Sequence, residues 1–206
     1  MTESGIVDHL EWSVATRCRP GEATNGDQAV IEVREGETLV AGIDGVGHGE
    51  AAARAARLAV AVIRRNSGED LTTLATSCHE ALRGTRGAAL SLVRMSASGA
   101  QLTWLGIGNV EGRLISGNSP PTRVKNSLAP APGIAGHELP QLTPETLDLE
   151  SGDLLVLATD GVRVRFADTL AVSGSTETIS ERVLKNDWEH ADDALVIAVR
   201  YLGGHR

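Results

Sequence analysis

Thr38-Leu39-Val40-Ala41-Gly42-Ile43-Asp44-Gly45-Val46-Gly47-His48-Gly49 is the stretch on which the fold of this chain turns. A mostly apolar run ends at Asp44, and glycine then fills three of the next five positions. The run reads as a buried strand and the glycines as the turn that ends it, so the Asp44 carboxylate is projected from a strand end. From Glu50 to Arg65, Ala51, Ala55, Leu58, Ala59, Val62 and Ile63 recur at helical spacing, while Arg54, Arg57, Arg64 and Arg65 occupy the rest of the cylinder. An amphipathic helix with a solvated arginine face follows.

Upstream, Leu10 to Thr16 alternates in the manner of a half-buried strand, with Leu10, Trp12 and Val14 on one face. A loop covers Arg17 to Gly26. Ala29 to Val33 and Thr38 to Ile43 flank Glu35-Gly36-Glu37 and predict a hairpin. Downstream, a second helix is expected over Leu71 to Leu82, then strands at Ala88 to Met95, Gln101 to Ile107 and Gly112 to Ser116, separated by glycine-containing turns. Asn118 to Pro144 holds six of the seven prolines and has no period, which predicts a long surface connection with at most short elements. Asp153 to Thr159 is an apolar strand ending at Asp160, Glu177 to Leu184 a helix, and Ala194 to Tyr201 a last strand. Blocks of strands and helices, in place of strict alternation, indicate an α+β fold with largely antiparallel sheets. No repeat or linker marks a second domain, so residues 1–206 read as one.

Aromatic residues make up only 2% of the chain against 41% hydrophobic residues overall, so the core must be built from Val, Leu, Ile and Ala. Trp12 and Trp104 fall on strand faces and read as core, whereas Trp188 has acidic neighbours and no assigned place. A formal charge of -8 argues against general affinity for nucleic acid or an anionic membrane, either of which would repel the chain at long range. Cys18 and Cys78 lack metal-knuckle spacing and read as reduced, packed thiols. With no apolar leader and no membrane-length apolar run, the expected location is the cytoplasm.

Four acidic sites share one setting beside an apolar strand: Gly26-Asp27, Asp44-Gly45, Asp160-Gly161 and Asp192-Asp193. Any one alone is an ordinary turn dipeptide. Gathered together they would repel, by roughly 4 kcal/mol per pair at about 4 Å and an effective dielectric near 20, so a cluster requires cations or protons. An all-oxygen ligand set without His or Cys spacing suits Mg²⁺ or Mn²⁺.

Through Asn25-Gly26-Asp27, the stretch from Ala41 to Gly49, Ala158-Thr159-Asp160-Gly161 and Asp192-Asp193-Ala194-Leu195, the sequence resembles the PPM family of metal-dependent serine/threonine phosphatases. These motifs come in the family's order and cover nearly the whole chain. The glycine-rich form after Asp44, Arg86-Gly87-Ala88-Ala89 and Gly108-Asn109-Val110 look most like its RsbX subfamily of the bacterial stressosome. The resemblance implies a sandwich of two antiparallel β-sheets flanked by α-helices, with two Mn²⁺ or Mg²⁺ ions at one edge. It would have Asp44 bridge the metals, the Gly45 carbonyl ligate the first, Asp160 and Asp192 the second, and Asp27 hold a metal-bound water, with Asp193 the competing choice for Asp192. It also implies phosphorylated STAS-domain proteins of a stressosome as substrates. A metal-activated water, with no protein nucleophile, would then attack phosphorus.

Two positions depart from the family's pattern. Glu22 stands where many members carry a phosphate-binding arginine, and Arg17 or Arg19 of the same loop is either a substitute for it or a solvated basic residue at a strand end. Val46 stands where a histidine general acid can follow the bridging aspartate, and His48 is either a proton donor or a polar helix-start residue. The same motifs also fit an inactive PPM-like binding module and a hydrolase of small phosphoesters. Substrate selectivity is expected from the loops Asn118 to Pro144 and Val162 to Glu177.

Overall fold

The computed structural model describes residues 1–7, 9–34, 36–96, 100–117, 123–166 and 170–203. Its strands are β1 (Thr2–Val7), β2 (Leu10–Arg17), β3 (Asp27–Arg34), β4 (Glu37–Gly45), β5 (Ala88–Ser96), β6 (Gln101–Ile107), β7 (Glu111–Ser116), β8 (Arg123–Leu128), β9 (Glu145–Asp148), β10 (Leu154–Ala158) and β11 (Ala194–Tyr201). The helices are α1 (Gly49–Arg65), α2 (Leu71–Leu82) and α3 (Thr176–Asp187).

The apolar run of β11 has a simple cause. Leu195, Ile197, Val199 and Tyr201 enter one buried cluster, while Ala194, Val196 and Ala198 enter another. Pleating sends alternate side chains to opposite faces, so a strand that is apolar throughout is covered on both. One sheet runs β1-β2-β11-β10-β7-β8 and the other β3-β4-β5-β6-β9, with antiparallel pairing between all these strands. Val40, Val93, Leu102, Leu157 and Ile197 fill the space between the sheets. α1 and α2 cover the outer face of the five-stranded sheet through Ala55, Ala59, Ile63, Leu74 and Leu82. α3 covers the six-stranded sheet through Ile179, Val183 and Leu184. The expected sandwich of two antiparallel sheets with flanking helices is therefore the fold of the chain.

Local chemistry sets the helix starts. Asp70 caps α2 by accepting the N–H groups of Thr72 and Thr73 at 2.9 Å each, and Ser175 caps α3 by accepting that of Thr178 at 3.2 Å. α1 begins differently: His48 at its cap makes no side-chain capping bond. What fixes this helix is contact. A Cβ on Gly45 would sit 2.2 Å from the Ala52 carbonyl oxygen, so the end of β4 and the first turns of α1 touch through backbone. Among the described residues, no helix is long and apolar enough to cross a membrane.

The differences from the sequence reading lie at the margins. β1, β8 and β9 are not announced by any apolar period, and all three are edge strands whose residues are largely exposed. β8 falls inside the proline-rich connection, whose opening residues 118–122 lie outside the described residues, as does Glu35 of the hairpin turn. Trp104 is buried as expected, but Trp12 is only half-buried and packs against Gly5.

Ile197 is fully buried between the sheets. Ile197→Ala is expected to cost about 2–5 kcal/mol through lost burial and a residual cavity. Urea unfolding followed by circular dichroism checks this, and a change within error would mean that the space between the sheets is not close-packed.

Candidate metal centre

Register brings the acidic residues to one end of the sandwich. Asp27 pairs with Asp44 across β3 and β4, and Asp44 pairs in turn with Ala89 at the start of β5. In the other sheet Ala158 pairs with Val196 and with Glu111. Asp160 therefore leaves β10, and Asp192 approaches β11, at this same end. Asp44, Asp160 and Asp192 line one cleft of about 340 Å³, together with Asn109, Val46 and Gly47.

Asp27 stands beside this cleft and does not line it. Its residue is 3% exposed, and Oδ2 accepts the Thr159 hydroxyl at 2.7 Å. Thr159 Oγ1 also accepts the Leu195 N–H at 2.9 Å, so a single hydroxyl ties β3 of one sheet to β10 and β11 of the other.

The Asp192-Asp193 pair divides cleanly. Asp193 is buried, with Oδ1 accepting the Arg19 N–H at 2.8 Å and Oδ2 the Gly26 N–H at 2.7 Å, so both oxygens brace the loop between β2 and β3. Asp192 faces the cleft, while one of its oxygens accepts the Asp193 N–H at 2.8 Å. Trp188, unplaced by the sequence, donates its indole N–H to the Asp192 carbonyl at 3.0 Å and stacks on His190. A Cβ on Gly161 would meet the Asp193 carbonyl oxygen at 1.9 Å, so the two acidic loops touch through backbone, as β4 and α1 do.

Charge is concentrated here. Burial, then the carboxylates of Asp160, Asp192 and Asp193, push Asp44 up to about 7. Burial, then Asp44, hold Asp27 well above the usual carboxylate range against the opposing Thr159 hydrogen bond. Asp160 is also raised, first by burial and then by Asp192, with partial relief from Asn109, whose amide donates to Oδ2 at 2.7 Å. Among the described residues no three His, Cys, Asp or Glu side chains already close on one metal-sized point. An oxygen-only cleft with open spacing nonetheless fits Mg²⁺ or Mn²⁺, because Mg²⁺ keeps several waters and takes few protein carboxylates. Burial and then neighbouring like charge are the causes of the raised carboxylate pKa values here.

The substitutes for the missing arginine are not here. Arg17 donates to the Thr16 carbonyl at 2.9 Å and lines a separate hollow with α3, and Arg19 meets Asp193 through its backbone. Neither lines the cleft. Glu22 Oε1 lies 2.6 Å from His48 Nδ1, so this helix-start histidine is engaged by the loop and does not cap its own helix. Asn109, Thr159 and Trp188 escaped the sequence reading of the site. Asn109 and Thr159 left a signal, in the Gly108-Asn109-Val110 and Ala158-Thr159-Asp160-Gly161 motifs, and Trp188 left none.

The family model of Stage II sporulation protein E (SpoIIE) matches residues 34–202. The chain belongs to the SpoIIE family. It is a phosphatase of the metal-dependent PP2C type. Phosphoserine phosphatase RsbX of Bacillus subtilis (strain 168) is 24% identical over 191 residues, which span 92% of this SpoIIE-family chain and 94% of RsbX. A chain from a solved structure described as "The bacterial stressosome: a modular system that has been adapted to control secondary messenger signaling" is 30% identical, with 93% and 99% of the two chains covered and a TM-score of 0.83. The crystal structure of RsbX in complex with magnesium shares the fold at a TM-score of 0.86 and 22% identity, covering 98% of this chain and 100% of that one.

A raised carboxylate pKa makes stability fall with pH. Between the ordinary 3.8 and about 7, the unfolded chain releases the Asp44 proton while the folded one keeps it, so ionisation favours unfolding across that window. In the presence of a chelator, the melting temperature is expected to decline as pH rises from about 4 to 7, and added Mn²⁺ should remove the decline. A flat profile in chelator, read by differential scanning fluorimetry, would show that Asp44 does not feel its neighbours.

Proposed function

We propose that this chain hydrolyses phosphoserine and phosphothreonine on STAS-domain proteins of a bacterial stressosome, with two Mn²⁺ or Mg²⁺ ions in the carboxylate cleft. The observation that carries the reading is the convergence of Asp44, Asp160 and Asp192, from both sheets, on one cleft of a SpoIIE-family chain. Likeness to RsbX over nearly the full length of both chains supports the choice of substrate. On this reading residues 1–206 form one catalytic domain in the cytoplasm.

Asp44, the Gly45 carbonyl, Asp160 and Asp192 would hold the ions. Asp27, kept in place by Thr159, would accept a hydrogen bond from a water in the site. Asn109 fixes the Asp160 carboxylate, and Trp188 fixes the backbone of Asp192. Asp193 braces the loop, with both oxygens already used. When bound, divalent cations supply water activation and offset charge on the transferring phosphoryl group. The water oxygen bonds to phosphorus, the ester P–O bond breaks, and the departing serine or threonine oxygen takes a proton from solvent. Phosphate and the free hydroxyl are the products. Cysteine chemistry is not needed: burial pushes the Cys78 thiol up to about 12, and Cys18 is raised too, first by burial and then by Asp193.

Phosphate release is expected to require Mn²⁺ or Mg²⁺ and to stop in excess chelator; full turnover in chelator would overturn the mechanism. Asp44→Asn should lower the rate by about 100-fold or more, since even outer-shell changes cost roughly 10–100-fold, while the fold survives. A variant with wild-type rate would remove Asp44 from the site. Folded phosphorylated STAS proteins should have a higher kcat/KM than short phosphopeptides of the same sequence, because binding at surface loops can be realised in the transition state. Equal values would mean that only the phosphate and its nearest neighbours are read.

A further inference from the structure

None of the residues that line the acidic cleft is basic. Arg86 stands at its wall, just before β5, where Gly87 accepts the Val46 N–H through its carbonyl at 3.1 Å. The Thr85 hydroxyl fixes the same turn by donating to the Leu82 carbonyl at 2.6 Å and accepting the Gly87 N–H at 3.0 Å. The Arg86 side chain leans on the lip of the cleft: Nη1 lies 2.8 Å from where a Cβ on Gly47 would stand, and Gly47 lines the cleft. The His137 ring stands beside the same turn, 2.8 Å from where a Cβ on Gly87 would be.

Arg86 is exposed and, among the described residues, forms no ion pair. Among the described residues its side-chain hydrogen bond is a long one, 3.5 Å from Nη1 to the His48 carbonyl. A guanidinium carries five donors in a planar fork matched to phosphate oxygens, and here nearly all of them are unspent. A phosphomonoester brings a charge of about -1.5 to -2 at neutral pH. Among the described residues the cleft itself offers no cationic side chain, so Arg86 at its lip is placed to meet the substrate's own charge.

We propose that Arg86 binds the non-transferring phosphate oxygens of the substrate, swinging from the His48 carbonyl onto the phosphoryl group. This rests on the phosphatase reading. KM and kcat for p-nitrophenyl phosphate, and competitive inhibition by inorganic phosphate, are to be measured at saturating Mn²⁺ for the wild type, Arg86→Ala, Arg86→Lys and Arg65→Ala. Arg65 is exposed in the last turn of α1, so its loss changes net charge equally without touching the cleft. Arg86→Ala should raise KM and the phosphate inhibition constant by roughly 10- to 100-fold, as expected when a charge-assisted pair of hydrogen bonds is lost. The lysine variant should fall between, and Arg65→Ala should match the wild type, with Mn²⁺ half-saturation and melting temperature unchanged throughout. Unchanged constants in Arg86→Ala, or an equal loss in Arg65→Ala, would overturn the assignment. Calorimetric titration of inorganic phosphate into the Mn²⁺-loaded proteins makes the same comparison without turnover. A wild type that binds phosphate through Arg86 and releases none from esters would therefore sink the phosphatase reading alone.

Discussion

Asp27 and Asp44 stand opposite one another at the open end of β3 and β4, both mostly removed from water. Two buried like charges side by side are unfavourable, and Asp160 and Asp192 add to the repulsion. No lysine or arginine lines the cleft to relieve it. The scaffold must hold this arrangement by other means, and the sandwich core supplies them. Residues on β10 and β11 are buried on both faces, so the strand ends that carry the acidic loops have little freedom to separate.

Close backbone approach does the rest. Gly45 lies against Ala52 of α1, and Gly161 against the carbonyl of Asp193. Each contact leaves no room for a side chain, which explains a glycine after Asp44 and another after Asp160 more directly than turn propensity does. The alanines of α1 serve the same end, since Ala52, Ala55, Ala56 and Ala59 are fully buried and let the helix sit low on the sheet. The two sheets come within hydrogen-bonding reach of each other at Thr159.

The sequence made legible what burial dictates. The β4–α1 unit, both central strand groups and the four acidic sites follow from apolar runs that stop at carboxylates. The edges were hidden because β1, β8 and β9 take their register from a neighbouring strand, and their own residues are largely polar or exposed. Within the site, composition could not distinguish Asp192 from Asp193, because the difference lies in which backbone N–H groups each meets. The engagement of Glu22 with His48 was equally out of reach, as the two are 26 positions apart with the β3–β4 hairpin between them.

The Asp192-Asp193 pair also shows how one short loop separates stability from affinity. Asp193 has both oxygens satisfied by the backbone N–H groups of Arg19 and Gly26, so its carboxylate braces the loop between β2 and β3. Asp192 turns toward the other carboxylates of the cleft and adds its charge to theirs. Because Asp193 anchors the strand entry and the Trp188 indole holds the carbonyl of Asp192, the unfavourable carboxylate is carried by a backbone that is already fixed. The repulsion therefore cannot be relaxed by moving the loop away. It stays built into the rigid scaffold, and on the proposed function it is what divalent cations would offset.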